Sequence, residues 1–392
     1  MNILINASNI RKSGALQVTL SFLEEVKKIT RHRYLIVLSD EVAGQVDASS
    51  FPANCRLLHL STGTPGSKGF MQQVRKLADA GKAFTADVVF SVFAPTYWTP
   101  AAPHLAGFAY VWAINPDAIF MKRLSLQQRV KTTIENAVKK YFIKKNAGWH
   151  VVEEDDVKRR LAKYFGIHPG KIFVVNNTYN HHFNHGGAVQ TFKQMLPEAK
   201  PGDFKLVTIS SNFPHKNLKV IPAVSAALKA RGYNNVYFYL TIRQDEFIAS
   251  FGGDDNIRNL GVVAAADCPA IYAQSDALFL PTMLECFSAS YPEAMVMKKP
   301  VLTSDLSFAR SICRDAAVYF SPIDPADIAE KIVEVMTSKT LYDDLVAKGL
   351  RRVQDFPSAA QRAAAYIALC EQIVNNGQPL SAVYQKTAST TV

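Results

Sequence analysis

The hydrophobic pattern of this chain alternates between short apolar runs and longer amphipathic stretches. In the first half, strands are predicted at 1–7, 33–38, 56–60, 86–92, 106–112, 148–152 and 171–176. In the second half, strands are predicted at 204–210, 236–241, 259–262, 276–280, 300–303 and 317–320. Strands that alternate with helices are typical of doubly wound parallel sheets. We therefore predict an α/β protein with two Rossmann-like, doubly wound domains of parallel sheet.

The length of 392 residues is sufficient for two domains, each with its own core. A polar connection rich in Gly and Pro near 186–203 predicts an N-terminal domain over 1–185 and a C-terminal domain over 204–355. A last helix is predicted over 359–375. The remaining segment, 377–392, consists of small and polar residues and predicts a flexible tail.

Composition restricts the class of protein. No segment has the uninterrupted apolar length of a membrane span, and the first residues lack the pattern of a signal peptide. The five cysteines have no paired spacing, so neither a disulfide framework nor a zinc site is indicated. These observations favour a cytoplasmic protein.

The net charge of +11 is concentrated in one segment. Between Met121 and Asn146, eight Lys and Arg residues face only Glu135, and apolar residues interleave with them at helical spacing. Such a helix can lie on an anionic membrane surface. Alternatively, it is a solvated helix whose apolar face covers the sheet, and the two interpretations are compatible. No module that binds nucleic acid is present, so we expect no nucleic-acid partner.

The stretch from Ala277 to Met295 carries the clearest chemical signal. An apolar strand breaks at Pro281, and a helix is predicted from about Ser290. Glu285 lies in the loop and Glu293 in the first helical turn. A helix N-terminus suits a phosphate, and flanking carboxylates suit hydroxyl groups, which together describe a nucleotide sugar. The alternative is a capping box in which Glu293 reaches back to Ser290.

Several motifs follow one another over roughly eighty residues: Asn259-Leu-Gly-Val-Val, Ala270-Ile-Tyr-Ala-Gln-Ser-Asp-Ala-Leu-Phe-Leu-Pro, Leu284-Glu-Cys-Phe-Ser, Pro292-Glu-Ala-Met, Lys299-Pro-Val-Leu-Thr-Ser-Asp and Asp324-Pro-Ala-Asp-Ile-Ala. In order and spacing they resemble retaining glycosyltransferases of family four, whose GT-B architecture implies two Rossmann-like domains that face a cleft. Upstream, Phe213-Pro-His-Lys-Asn-Leu resembles the phosphate-binding lysine motif of that family.

The resemblance implies roles for individual residues. Glu285 would contact the hydroxyl groups of the donor sugar, Glu293 those of the ribose, and Lys216 the diphosphate. Glu285 and Lys216 are the catalytic candidates. The remaining donor-binding candidates are Gly14, Ser211, Val262, Cys286, Phe287, Ser288 and Ala289. Without the family context, Lys216 would be interpreted as an ordinary surface lysine.

The sequence departs from the family pattern at three positions. Ser211 stands where the family usually has an arginine, and Cys286 and Ser288 stand where it commonly has glycines. A hydroxyl at Ser211 can donate a hydrogen bond but cannot neutralise a phosphate. Another cation would have to substitute, and the candidates are Arg11, Lys12 and Arg243.

The acceptor side is less specified. His104 is either near the reacting centre or, as we favour, a structural histidine. Aromatic residues that can line a sugar or polyprenyl site, or simply fill the core, are Tyr97, Trp98, Tyr110 and Trp112. No Asp-x-Asp pair is placed to chelate a metal, so we expect no metal and no cofactor besides the nucleotide-sugar substrate.

These observations predict a retaining hexosyltransferase that moves a sugar from a nucleotide-sugar donor to a glycan or a polyprenyl-diphosphate-linked acceptor. The expected setting is bacterial surface polysaccharide biosynthesis, in the cytoplasm or peripherally on the inner face of the cell membrane. Two alternatives remain open. One is a catalytically lapsed homologue that binds only sugar or nucleotide, and the other is a nucleotide-sugar epimerase.

Overall fold

A computed structural model describes residues 1–11, 13–61, 65–183, 193–198 and 200–376. The predicted tail at 377–392 lies outside these residues, as do residues 186–192 and 199 of the predicted connection between the domains. The described chain divides into two compact units. Unit 1 contains residues 1–116, 124–177 and the C-terminal segment from 357, and unit 2 contains 117–123 and 178–356.

The division between the units differs in detail from the predicted domains. It falls between Asn177 and Thr178, upstream of the polar connection. The short segment Asp117–Arg123, which the sequence places inside the N-terminal domain, belongs to unit 2.

Unit 1 is built on a parallel sheet of seven strands, in the order β3-β2-β1-β4-β5-β6-β7. The strands are β1 Asn2–Ala7, β2 Arg33–Leu38, β3 Cys55–His59, β4 Val88–Ser91, β5 His104–Gly107, β6 Trp149–Val152 and β7 Ile172–Val174. Most of these strands are buried along their length, because helices cover both faces of a parallel sheet and the strands become continuous apolar runs.

The helices of unit 1 connect these strands. They are α1 Ser13–Val26, α2 Asp40–Ala43, α3 Phe70–Ala83, α5 Leu126–Asn146 and α6 Asp155–Phe165. The final helix of the chain, α14 Ala359–Asn376, packs against α1 and β4. Its buried Arg362 donates to Ser21 Oγ at 3.1 Å and also contacts Asn177 Oδ1. The last helix is therefore a structural part of unit 1.

Unit 2 is built on a parallel sheet of six strands, in the order β10-β9-β8-β11-β12-β13. The strands are β8 Phe204–Thr208, β9 Val236–Leu240, β10 Ile257–Asn259, β11 Ala277–Leu280, β12 Val301–Ser304 and β13 Val318–Phe320. The helices are α4 Ile119–Lys122, α7 Ile221–Ala230, α8 Gln244–Phe251, α9 Cys268–Gln274, α10 Ser290–Val296, α11 Ser307–Cys313, α12 Pro325–Thr337 and α13 Lys339–Val353. Two apolar clusters fill the space on the two faces of the sheet.

Two strand predictions were displaced. The run predicted at 106–112 is strand only over β5, because Val111–Ile114 forms a 3-10 helix after the strand. The run predicted at 259–262 ends as a strand at Asn259, where the chain turns through Gly261 with a φ of +75°. A left-handed residue of this kind ends an extended strand, and glycine adopts it without strain.

The basic segment is also divided. α4 ends at Lys122, and α5 begins only after Ser125, which forms a capping box with Gln128. Among the residues of α5, only Ile143 and Asn146 are buried. Among the described residues, no helix combines the length and apolarity that a membrane crossing requires.

Candidate active site

The strand order of unit 2 creates the position of the site. β8 and β11 are neighbours, but the chain leaves β8 toward β9 on one side and leaves β11 toward β12 on the other. The loops that follow the two strands therefore diverge and leave a crevice at their carboxyl ends, which is where open α/β sheets bind ligands. The lysine motif follows β8, and the Glu285 loop follows β11.

Lys216 is held by a tight turn after β8. Pro214–Lys216 forms a 3-10 helix that ends at Asn217 with a left-handed φ of 57°. The Asn217 side chain donates to the Pro322 carbonyl at 2.7 Å. The carbonyl of His215 accepts the backbone N–H of Met283 at 2.7 Å and the Thr282 hydroxyl at 3.2 Å. The lysine turn and the Glu285 loop are thus joined directly.

The ammonium of Lys216 is paired with the carboxylate of Glu285. The two side chains retain 16% and 10% of their exposure, so the pair is largely desolvated but reachable. A pair in such surroundings is stronger than a surface pair and responds strongly to a third charge. A bound phosphate would compete with Glu285 for Lys216 and free the carboxylate to accept from hydroxyl groups.

Three consecutive backbone amides of the Glu285 loop have no hydrogen-bond partner among the described residues. In the part of the chain that the structure describes, the N–H groups of Phe287, Ser288 and Ala289 donate to no protein acceptor. Buried amides are nearly always satisfied by protein, water or a ligand. An anion at this turn would satisfy several of them at once.

The capping box considered for this helix is absent. Ala289, not Ser290, precedes the first residue of α10, and it makes no side-chain cap. The Ser290 hydroxyl donates to the Ile209 carbonyl at 3.3 Å instead. The capping interpretation of Glu293 was therefore wrong, because the helix begins at Ser290, one residue earlier than a Ser290 cap requires.

Glu293 lies in a poorly solvated environment beside Tyr272. Burial raises the pKa of this carboxyl to about 7, while a hydrogen bond with Tyr272 acts in the opposite direction. Burial raises the pKa because it disfavours the charged form of an acid. Its charge therefore changes near neutral pH, in contrast to a surface glutamate.

The other donor candidates of unit 2 lie on the same edge of the sheet. Cys286 and Ser288 are buried, and neither has a positive φ, so the backbone itself does not require glycine there. Val262 follows β10 and is 76% exposed, which is unusual for a large apolar side chain. Ser211 is exposed, and its carbonyl accepts the N–H of Phe213 at 2.9 Å.

The structure does not bring the cations considered as substitutes for the missing arginine to the Glu285 loop. Arg243 is bound to Asp245 through contacts of 3.0 and 2.6 Å. Arg11 is exposed in unit 1, and Lys12 lies outside the described residues. Among the described residues, Lys216 is thus the cation that the structure brings to the Glu285 loop.

Gly14 is the donor candidate of unit 1, and it lies inside α1 rather than in the turn before the helix. A Cβ at this position would meet nothing within 4 Å. The fold of unit 1 therefore does not require glycine here, and any requirement would have to come from a ligand.

The candidate residues on the acceptor side are mostly structural. His104 is buried, with Nε2 2.8 Å from Ser91 Oγ and Nδ1 2.5 Å from the Asn146 carbonyl. Trp98 belongs to the apolar core under α3, and Tyr97 packs against Phe70 and Phe142. The interpretation of His104 as a structural histidine is confirmed.

Tyr110 and Trp112 lie in and beside the 3-10 helix that follows β5. The Tyr110 hydroxyl donates to Asn136 of α5 at 2.8 Å, and Lys139 lies over the Tyr110 ring at 3.9 Å. The Trp112 carbonyl accepts from the Asn136 side chain at 3.3 Å. These contacts attach α5 to the 3-10 helix that follows β5.

The sequence did not single out two groups that support the site. Tyr272 lies beside Glu293, and its hydroxyl donates to the Ser290 carbonyl at 3.3 Å. His215 stacks on Phe213 at 5.6 Å and meets Phe120 of α4 edge-on at 6.2 Å. Burial, followed by the charge of Lys216, lowers the pKa of His215 to about 3, so this ring is neutral. The proximity of α4 could not be foreseen from sequence spacing.

Within the described residues, no group of three or more His, Cys, Asp or Glu side chains is arranged to hold a metal ion. The charged site candidates on this edge of unit 2 are a lysine and two carboxylates. Such a set can bind a diphosphate through the lysine and hydroxyl groups through the carboxylates.

Comparison with known proteins agrees with this geometry. Residues 192–352 match the model of the family described as glycosyl transferases group 1. No curated protein sequence matches the chain.

Solved structures resemble the chain over nearly its whole length. WaaG, a glycosyltransferase involved in lipopolysaccharide biosynthesis, has a TM-score of 0.71 and 13% identity, covering 96% of this chain and 100% of its own. HepE of Anabaena, solved with UDP and glucose, has a TM-score of 0.67 and 13% identity, covering 94% and 99%. Sucrose-phosphate synthase of Thermosynechococcus elongatus has a TM-score of 0.67 and 14% identity, covering 95% and 98%. The predicted GT-B fold is confirmed.

Proposed function

We propose that this protein is a retaining glycosyltransferase that moves a sugar from a nucleotide-sugar donor to a glycan or a polyprenyl-diphosphate-linked acceptor. The observation that carries the proposal is the Lys216–Glu285 pair at the crevice between β8 and β11. It lies within the residues that match the glycosyl transferases group 1 model. The similarity to HepE, which was solved with UDP and glucose, is in accord with a nucleotide-sugar donor.

In this proposal, different residues of the site bind the phosphate, the sugar and the ribose of the donor. When the bond between the sugar and the diphosphate breaks, negative charge develops on the phosphate. We assign the stabilisation of that charge to Lys216 and to the amides of Phe287, Ser288 and Ala289, because it is the most direct way to lower the barrier. Glu285 would hold the hydroxyl groups of the sugar, and Glu293 those of the ribose. Because Lys216 supplies positive charge, the proposal requires no metal, and full activity in a chelator is expected.

A membrane-linked acceptor is supported by the exposed face of α5. Large apolar side chains recur on one side of this helix and are exposed to between 48% and 77%: Leu126, Val130, Ile134, Val138 and Tyr141. Arg129 and Lys131 flank this stripe and are themselves exposed. An apolar face bordered by cations is typical of helices that lie in the surface of an anionic membrane. A role in bacterial surface polysaccharide biosynthesis follows from such an acceptor.

The structure corrects the earlier description of α5 in one respect. Its apolar side chains were expected to face the core while the lysines face lipid, but the stripe itself is exposed. Two of the lysines are engaged within unit 1 instead, because Lys139 lies over Tyr110 and Lys140 donates to the Tyr164 carbonyl. The interpretation of α5 as a helix whose apolar face covers the sheet was therefore wrong for the described residues.

The lapsed homologue remains the second candidate, because Ser211 is exposed and Arg243 is bound to Asp245. Incubation with a panel of radiolabelled nucleotide sugars and polyprenyl-diphosphate-linked acceptors separates the candidates. A transferase forms a labelled glycolipid, and NMR of the anomeric proton then reports retention or inversion. An epimerase would instead change the nucleotide sugar without an acceptor, and a lapsed homologue would bind the donor without any product.

A further inference from the structure

A second polar feature lies in unit 1, at the edge of the sheet where β5 and β6 begin. It is an open cavity with a volume of about 710 Å³. Parallel sheets bind their usual ligands at the opposite, carboxyl edge. The cavity is therefore separate from any site at the carboxyl edge of this sheet and from the crevice of unit 2. Its charged and titratable lining residues are Lys144, Lys145, Lys171, His104, His150 and His168, and none of the lining residues is acidic.

None of the three lysines of this cavity has an ion-pair partner among the described residues, and Lys145 lies over the Tyr141 ring at 5.3 Å. In the described part of the chain, neither Lys144, Lys145 nor Lys171 has a carboxylate within 4.0 Å. The ammonium of Lys144 lies beside Gly166, 3.9 Å from where a Cβ of that residue would be. Lys171 comes from a different element, the 3-10 helix Pro169–Lys171. Two separate segments thus contribute unpaired positive charge to one concave surface.

His150 is the most informative residue of the cavity. It retains 1% of its exposure, and its Nδ1 has no hydrogen-bond partner among the described residues. Burial, followed by the charges of His104 and Lys171, lowers the pKa of this ring to about 4. Buried side-chain nitrogens nearly always have a partner, so this nitrogen beside a cationic cavity is a candidate donor to an anion.

Stabilisation of helix ends does not account for this arrangement. Lys144 and Lys145 lie in the last turn of α5, and α6 ends at Phe165 beside the same cavity. Each helix C-terminus carries about half a negative charge, so the two together offset about one of the three lysines. The cavity keeps a positive excess of about two charges. Helix dipoles also give no partner to His150.

We propose that this cavity binds a phosphate group. The lysines would neutralise its charge, and His150 would offer its ring nitrogen as a hydrogen-bond donor. Nδ1 of His168 accepts the N–H of Gly170 at 3.1 Å, so its proton lies on Nε2, where it can donate as well. The volume accommodates a phosphate together with the group that it esterifies. Lys144 and Lys145 also lie at the end of the exposed stripe of α5, so the phosphate belongs either to a lipid headgroup or to a soluble molecule.

The test uses the full chain with Lys216→Met as background, so that the lysine of unit 2 contributes nothing to phosphate binding. The imidazole of His150 is followed by NMR of its ring nitrogens, assigned through His150→Gln. One arm adds inorganic phosphate. The other arm adds nanodiscs of phosphatidylcholine with phosphatidic acid, compared with nanodiscs of phosphatidylcholine alone. We expect the His150 signals to shift in a saturable way in one arm, and that arm identifies the source.

The matched variants carry the same change of charge. Replacing Lys144, Lys145 and Lys171 by Gln should weaken binding at least tenfold, because a hydrogen bond to a charged group is worth roughly that factor. Replacing the exposed Lys76, Lys82 and Lys163 by Gln should leave binding unchanged. The inference is overturned if His150 responds in neither arm, or if the two triple variants lose binding equally. It does not depend on glycosyl transfer, which the product assay measures separately.

Discussion

The two units of this protein share one arrangement of strands but carry different chemistry. In each, the first and fourth strands of the unit are neighbours, and the loops after them diverge at the carboxyl edge. In unit 2 this edge carries Lys216 bound to Glu285, together with Glu293. At the corresponding edge of unit 1, Asn6 donates to Ser91 and Asn9 donates to the carbonyl of Phe93. Lys144, Lys145 and Lys171 line the cavity at the opposite edge of that sheet.

The difference shows that the sheet provides the crevice, and that the loops provide the charge. The match to the glycosyl transferases group 1 model covers only residues 192–352, all of which belong to unit 2. We therefore expect substitutions in unit 2 to change donor binding and chemistry. Substitutions in unit 1 should change contacts with membranes or acceptors.

The largest effect is expected for Lys216→Met. This change removes the cation placed at the diphosphate, so kcat/KM should fall roughly 10²- to 10³-fold, as for the loss of a stabilising group at a developing charge. Binding of a nucleoside diphosphate, measured by titration calorimetry, should weaken as well. Lys219→Met is the matched control, since Lys219 is exposed nearby and has no ion pair among the described residues. Equal activity of the two variants would remove Lys216 from the site.

Glu285→Gln should separate binding from chemistry. The change keeps the size of the side chain but removes the carboxylate that competes for Lys216. Turnover should fall roughly 100-fold through loss of the sugar contact. Affinity for the free nucleoside diphosphate should hold or rise, because Lys216 is released. A parallel loss of both quantities would mean that the pair serves only to support the fold.

The exposed stripe of unit 1 is tested with Leu126→Gln, Val130→Gln and Ile134→Gln together. Partitioning onto vesicles with phosphatidylglycerol should fall at least tenfold, since burial of each such side chain contributes about 1.5 kcal/mol or more when it is complete. Nucleotide binding should stay unchanged. The control replaces Met71, Ile248 and Ile323, which are also exposed, by Gln. Equal sedimentation of both triple variants would contradict a membrane role for α5.

Glu293 predicts a pH dependence of stability. Its pKa is raised from 4.5 to about 7 in the folded protein. Between these values the folded state keeps a proton that the unfolded state has released, so the free energy of unfolding falls as pH rises. Glu293→Gln should therefore gain in Tm relative to the native chain between pH 4.5 and 7. Glu330→Gln, at an exposed position, should show no such trend. A constant difference across this interval would contradict the raised pKa.

The smallest effect is expected for Gly14→Ala. Because a Cβ meets nothing within 4 Å, alanine should stabilise α1 by about 0.5 kcal/mol in a thermal or denaturant unfolding measurement. Donor affinity should fall only if the donor phosphate approaches this backbone. Increased stability with unchanged affinity would leave unit 1 without a donor contact at this residue.

Much of the fold could be predicted from the sequence, because buried parallel strands must be apolar along their whole length. β2 begins and ends at its predicted residues, and α14 is recovered to within one residue. Lys216, Glu285 and Glu293 could be named from their motifs. Strand ends were less predictable where a turn or a 3-10 helix follows an apolar run, as after β5.

Only the tertiary structure decided what these residues contact. The pairing of Lys216 with Glu285, 69 positions apart, depends on the adjacency of β8 and β11. Periodicity indicated an apolar face on α5, but whether another element covers that face depends on packing. The sequence left Glu293 either in a capping box or in contact with ribose hydroxyl groups, and the start of α10 at Ser290 excludes the capping box. Local sequence determines which elements form, because backbone preference and apolar period are local, whereas ion pairs, exposure and pKa values depend on neighbours that the fold brings from elsewhere in the chain.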